Sequence, residues 1–180
     1  MKLNILKNPN PLLRVKTVKI KDPLAKDVRE LVLNMIETMY ANNGVGLAAT
    51  QVGSNLRVCV IETEGVQYVL INPQITAKSK IKVISEEGCL SFPGKFFPIS
   101  RSKEVQVRYI DENGKASKLK GRDLLARAIQ HELDHLDGIL IIDRVKKTRQ
   151  PKIKIDLDKK PARLSSHTCL PASGGMRDPV

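Results

Sequence analysis

The longest ordered pattern in the chain is an apolar stripe between positions 24 and 40. Leu24, Val28, Leu31, Val32, Met35, Ile36, Met39 and Tyr40 recur at steps of three and four, the period of a helix with one buried face. Asp22-Pro23 precedes the stripe as a capping residue with proline at the first helical position, and Asn42-Asn43-Gly44 follows it as a left-handed cap. Residues 1–22, punctuated by Pro9, Asn10 and Pro11, read as extended or looped. Beyond the stripe the period changes. Segments 56–62, 67–72 and 80–85 are rich in valine and isoleucine between turn residues, which predicts short strands. Residues 103–110 alternate Val105, Val107 and Tyr109 with polar positions; 111–114 predict a turn and a partner strand after it. A second helix is expected from about Arg122 to Leu136, burying Leu125, Ile129, Leu133 and Leu136, with Gly138 as its stop and a short apolar segment at 139–143. Strands followed by a helix that packs on them predict an α+β domain.

Composition narrows the class. The 180 residues suit one domain with a tail. From Lys146 the sequence turns lysine-rich, and 165–180 have too little apolar content to pack, so the expected division is a catalytic domain over 1–145 and a basic, partly disordered extension over 146–180. The net charge is +12, and ten basic against three acidic residues lie from Arg144 onward. That balance predicts an anionic partner, a nucleic acid or ribonucleoprotein before a membrane surface. No apolar run approaches the length of a membrane span and no secretory signal is legible. Cys59, Cys89 and Cys169 are odd in number and far apart, which points to a reducing cytosol rather than a disulfide framework.

Three segments carry chemistry. His131-Glu132-Leu133-Asp134-His135 places two imidazoles four residues apart on one helical face, with Glu132 beside them to move a water proton. The bland alternative is a pair of solvated histidines on the polar edge of the helix. A catalytic site needs a third protein ligand. His167 lies in the tail, so the candidate is Cys89 in Glu87-Gly88-Cys89-Leu90-Ser91, where a thiolate would be a soft, strong donor. Its alternative, a small buried hydrophobe, is the role assigned to Cys59. The third segment is Gly44-Val45-Gly46-Leu47-Ala48-Ala49-Thr50-Gln51. It is not a dinucleotide fingerprint, because it follows a helix rather than a strand. Its glycines permit close backbone approach, and Gln51 offers an amide donor; a plain connection with a surface glutamine is the alternative.

In this order, the three segments closely resemble the signature motifs of the peptide deformylases, as do ILKNPNPLLR near the N-terminus and GILIID at 138–143; the resemblance spans about residues 3–145. It implies an α+β fold in which antiparallel strands surround a central helix carrying H-E-x-x-H. It implies removal of the N-formyl group from the formyl-methionine of nascent chains, with release of formate. It implies one divalent ion, Fe²⁺ with Zn²⁺ or Ni²⁺ tolerated, held by Cys89, His131 and His135. Glu132 becomes the general base and acid, and the Gln51 side chain with the Leu90 backbone N–H becomes the oxyanion hole. Gly44, Val45 and Gly46 would pair with an extended peptide, and Val45 and Ala128 would wall the methionine pocket. Arg127 would pack its stem there while its charge reaches solvent. Glu87 and Arg101 are a candidate ion pair behind Cys89, with two independent surface charges as the somewhat favoured alternative. The basic extension suits ribosome contact. Two rivals remain at this level: a zinc peptidase, and a nucleic-acid module with a structural zinc site.

Overall fold

The computed structural model describes residues 1–145. The first helix, α1 (Lys26–Ala41), begins three residues later than its proline suggests. Asp22 does not cap it: its Oδ1 accepts from Leu24 N at 3.0 Å and its carbonyl from Ala25 N, closing a separate turn before the helix starts. At the other end Asn43, not Gly44, takes the left-handed conformation (φ 52°), and Gly44 N donates back to Met39 O.

Among the described residues seven strands follow. β1 (Gly46–Ala48), β2 (Val58–Thr63), β3 (Val66–Lys78), β6 (Glu104–Ile110) and β7 (Ala116–Arg122) form one antiparallel sheet in the order β1-β2-β3-β6-β7, while β4 (Lys82–Gly88) and β5 (Phe96–Ser102) form a separate antiparallel pair. The expected helix is α2 (Asp123–Leu136), closed by Gly138 at φ 71°, and a short α3 (Ile141–Val145) follows. The fold is α+β, as the sequence predicts. β2 explains why its core reads Val-Cys-Val-Ile without alternation: Val58 and Val60 face the α1 side, Cys59 and Ile61 the α2 side, so both faces are covered. A third apolar cluster of Leu13, Phe92, Ile99, Leu140 and Ile141 ties α3 and the N-terminal segment to β5.

Two elements escape the sequence pattern. β1 is only three residues long and glycine-led, and β5 (FFPISRS) lacks a two-residue alternation and contains Pro98. The structure also corrects the expected polar edge of α2. Ala126 and every residue from Ala128 to Leu136 is buried, because β1, β5 and the turn at Ala49–Val52 close over the face that the helical pattern assigns to solvent. Among the described residues no helix is long and apolar enough to cross a membrane. The expected disordered extension at 146–180, with Cys169 and His167, lies outside the described residues.

Candidate active site

α2 brings His131 and His135 to one face, and the turn after β4 lays Cys89 across them. The sulfur of Cys89 is 3.2 Å from His135 Nε2, and the three donor atoms of Cys89, His131 and His135 lie within 4.8 Å of one another. A hydrogen bond from Phe92 N to Cys89 O and an edge-to-face contact of Phe92 with Phe97 (6.4 Å) hold the turn, so the aromatic cluster noted after Cys89 buttresses it. Cys59 takes the other role foreseen for it, wholly buried in β2, where burial pushes its thiol well up.

Glu87 orients the first imidazole. Its Oε2 lies 3.0 Å from His131 Nδ1 and also accepts from Arg101 NH2 at 2.9 Å; its Oε1 accepts from Arg101 Nε at 2.9 Å and Arg127 NH1 at 2.6 Å. Burial would raise the Glu87 pKa, but the bonds to His131 and Arg101 outweigh it and hold it at about 2. An ionised carboxylate only accepts, so Nδ1 of His131 carries a proton and Nε2 faces the sulfur side. Of the two alternatives for Glu87 and Arg101, the less favoured one is present: they pair, and bidentately. It extends further than the sequence suggested: Arg101 also reaches Asp134, and Asp134 is gripped by Arg144. Arg127 departs from its expected role. Its guanidinium is mostly turned inward and donates to Glu87, Ile99 O and Val83 O, bridging α2 to β4 and β5.

Glu132 points to the opposite side, against Gly46. A methyl group on Gly46 would sit 2.4 Å from Glu132 Oε1, so this glycine admits the protein's own carboxylate, an internal use of the freedom expected to serve a bound peptide. Burial raises the Glu132 pKa to about 7, with the charge of His131 opposing and that of Glu87 assisting. Gln51 is buried, its Oε1 accepting from Ala48 N at 2.8 Å. That anchor turns Nε2 toward Ser91 Oγ (3.2 Å) and the Cys89 sulfur (3.7 Å). Leu90 follows Cys89, and its carbonyl accepts from Lys7 Nζ at 2.6 Å. Gly44, Val45, Gly46, Gln51, Leu90 and Ala128 all line a cavity of about 560 Å³ that opens onto Cys89, His131 and Glu132. The structure thus brings these sequence-predicted residues to one cavity; the sequence gave no role to Ser91, Asp134 or Lys7. Ser91 and Asp134 stand inside the quoted motifs, but only their partners across the fold reveal what they do.

These residues fit a metal ion. The donor set is one sulfur and two imidazole nitrogens, suited to a borderline-soft divalent ion. Burial would lower the His131 pKa, but its bonds to Cys89 and Glu87 and the charge of Glu132 raise it to about 10, so the cluster draws positive charge to this spot. Burial and the charge of His131 push His135 well below its ordinary value, leaving it a neutral imidazole, the form that ligates. Among the described residues the buried side-chain atoms without a hydrogen-bond partner are His135 Nδ1 and Glu132 Oε2, both in this cluster.

Comparison with known proteins agrees. Residues 2–151 match the polypeptide deformylase family. A peptide deformylase of Thermodesulfovibrio yellowstonii is 47% identical over 148 residues, covering 79% of this chain and 88% of its own length. One from Dictyoglomus turgidum is 44% identical, over 80% of this chain and 93% of its own. Among solved structures, the peptide deformylase of Thermotoga maritima superposes with a TM-score of 0.78 at 38% identity, over 81% of this chain and 98% of that one. That of Synechococcus elongatus, in complex with actinonin, gives 0.77 at 40% identity, over 79% and 78%.

Proposed function

This chain belongs to the polypeptide deformylase family and is a metal-dependent hydrolase that removes the N-formyl group from the formyl-methionine of nascent polypeptides, releasing formate; we propose that Cys89, His131 and His135 hold its ion, that Glu132 moves the proton, and that Gln51 and the Leu90 N–H receive the developing charge. The observation that carries the assignment is the convergence of three donor atoms within 4.8 Å beside a buried carboxylate whose pKa is about 7. The ion, when bound, supplies Lewis acidity, polarising a carbonyl and lowering the pKa of water to about 7.

The chain's own groups do the rest. Glu132, matched to neutral pH, takes a proton from the attacking water and returns it to the departing amine. Gln51 Nε2 donates toward the formyl oxygen as it gains charge; because Ala48 N fixes the far end of that amide, the donor is positioned before reaction begins. β1 is an edge strand, and Val45 O accepts from Glu62 N on β2. Alternate residues of such a strand turn their backbone groups outward, so Gly46 presents its N–H and C=O to an extended peptide. Val45 and Ala128 wall the methionine pocket, with the stem of Arg127 beside them.

The finer reading of the cofactor is Fe²⁺, with Zn²⁺ or Ni²⁺ accepted, since thiolate and imidazole bind all three. The compartment inferred is a bacterial-type cytosol, where Cys59 and Cys89, both free thiols, stay reduced. The basic segment after residue 145 is read as a ribosome contact. Neither rival reading survives the family assignment: a peptidase would share the helix motif alone, and a structural zinc site would be closed by a fourth protein ligand. The test is metal content by elemental analysis. Wild type is expected to carry one ion per chain. Cys89→Ala is expected to carry well below that and to release no formate from a formyl-Met peptide while keeping its circular dichroism; full occupancy in that variant would remove Cys89 from the ligand set.

A further inference from the structure

A second concavity, of about 780 Å³, lies between β3, β6, β7 and the segment before α1, and shares no lining residue with the active-site cavity. Its walls carry Lys16, Lys19, Arg57, Arg108 and Lys118 against a single acid, Asp137. That acid is already taken, by Arg57 NH1 at 2.8 Å. Arg108 and Lys118 are direct cross-strand partners on β6 and β7. Like charges placed opposite each other destabilise a sheet, so folding gives no reason for the pair. The neighbouring cations on the same face show the usual remedy: Lys120 and Arg122 share Glu104 at 3.2 and 3.4 Å. Among the described residues Arg108 has only the neutral Gln74, and no acid answers Lys16, Lys19 or Lys118.

We propose that this concavity binds the phosphodiester backbone of RNA. The deficit is local and concave, with cations on two strands and a facing loop, which suits a convex ridge of evenly spaced phosphates better than a planar lipid surface. The one aromatic residue of the lining, Tyr109, packs against the apolar cluster beneath α2 rather than standing free as a stacking platform, so the contact is independent of sequence and falls with salt. It lies at the C-terminal end of α2, beyond Asp137, whereas Gly46 and Glu132 face the other cavity. The two sites do not overlap, so RNA held here leaves the peptide site open, and the inference does not depend on the deformylase reading.

The test uses the full chain, titrated with a labelled RNA duplex at several salt concentrations. The triple variant Lys16→Gln, Arg108→Gln, Lys118→Gln is compared with wild type and with a control, Lys2→Gln, Lys80→Gln, Lys82→Gln, that removes the same charge outside the concavity. The tail is present throughout, so the differences report this surface alone. The triple variant is expected to bind about tenfold or more weakly, with the slope of log affinity against log salt reduced by about 2–3, one unit per lost phosphate contact. The control is expected to shift both by less than half as much, and all three proteins to turn over a short formyl-Met peptide equally. Wild-type affinity in the triple variant would overturn the proposal, as would an equal loss in the control. Tighter binding of wild type to polyglutamate than to RNA would overturn it in favour of an acidic protein partner.

Discussion

At the residue scale, two positions act through what stands beside them. Gly46 has no Cβ, and the space goes to the carboxylate of Glu132. Gly46→Ala is expected to leave the fold and metal content intact but to displace Glu132 and lower kcat by about 10² or more, the scale of losing general acid–base catalysis; steady-state kinetics beside metal analysis checks it, and an unchanged kcat would show that Glu132 tolerates the shift. Gln51 works through its two ends, one anchored on Ala48 N and the other aimed past Ser91 toward Cys89. Gln51→Ala is expected to retain its ion and lose about 10²–10³ in kcat, as for one oxyanion donor; an unaltered kcat for formate release would remove Gln51 from the mechanism. The residue types at both positions were legible in the sequence. That Gly46 serves the protein's own glutamate was not, since the two are 86 positions apart in the chain and meet only when α2 packs on β1.

At the scale of elements, α2 is the organising piece. Its amphipathic pattern was read correctly in extent, yet its supposed polar edge is interior, and the charges there need partners. They find them in a chain of ion pairs running from His131 through Glu87, Arg101 and Asp134 to Arg144. This chain couples β4, β5 and α3 to α2, which sequence periodicity cannot show because each partner is an isolated charge in its own element. Glu87 and Asp134 are both buried and share Arg101, itself only 5% exposed. Arg101→Met is therefore expected to destabilise the protein by about 3–5 kcal/mol, the scale of leaving buried charge unpaired. Urea unfolding measures it, and a loss below about 1 kcal/mol would mean that Arg127 and Arg144 suffice without it. Chain order helped with β6 and β7, where alternation and a turn are plain, but not with β5, whose pairing with β4 is set by the ladder from Lys82↔Ser102 to Gly88↔Phe96 rather than by its own pattern.

At the scale of the whole molecule, the charge that first suggests a nucleic-acid partner separates from the chemistry. Arg101, Arg127 and Arg144 serve the site, but they do so through Glu87 and Asp134 rather than at the reacting groups. The proposed division makes residues 1–145 the enzyme and 146–180 an appendage. Removing 146–180 is expected to leave turnover of a short formyl-Met peptide within about twofold of wild type while weakening salt-sensitive ribosome binding; co-sedimentation with ribosomes and a formate assay check the two halves, and unchanged co-sedimentation would remove the appendage from that role. What the sequence by itself determined is the kit of parts: the donor types, their order, the helix that spaces two of them, and the α+β class, because helical period and ligand chemistry are local properties. Only the tertiary structure decided which groups stand together: Cys89 against His135, Glu87 behind His131, Gly46 beneath Glu132, Arg108 opposite Lys118. Those contacts join elements tens of residues apart, and they are settled by which faces must be buried together, a condition on the whole chain that no single segment contains.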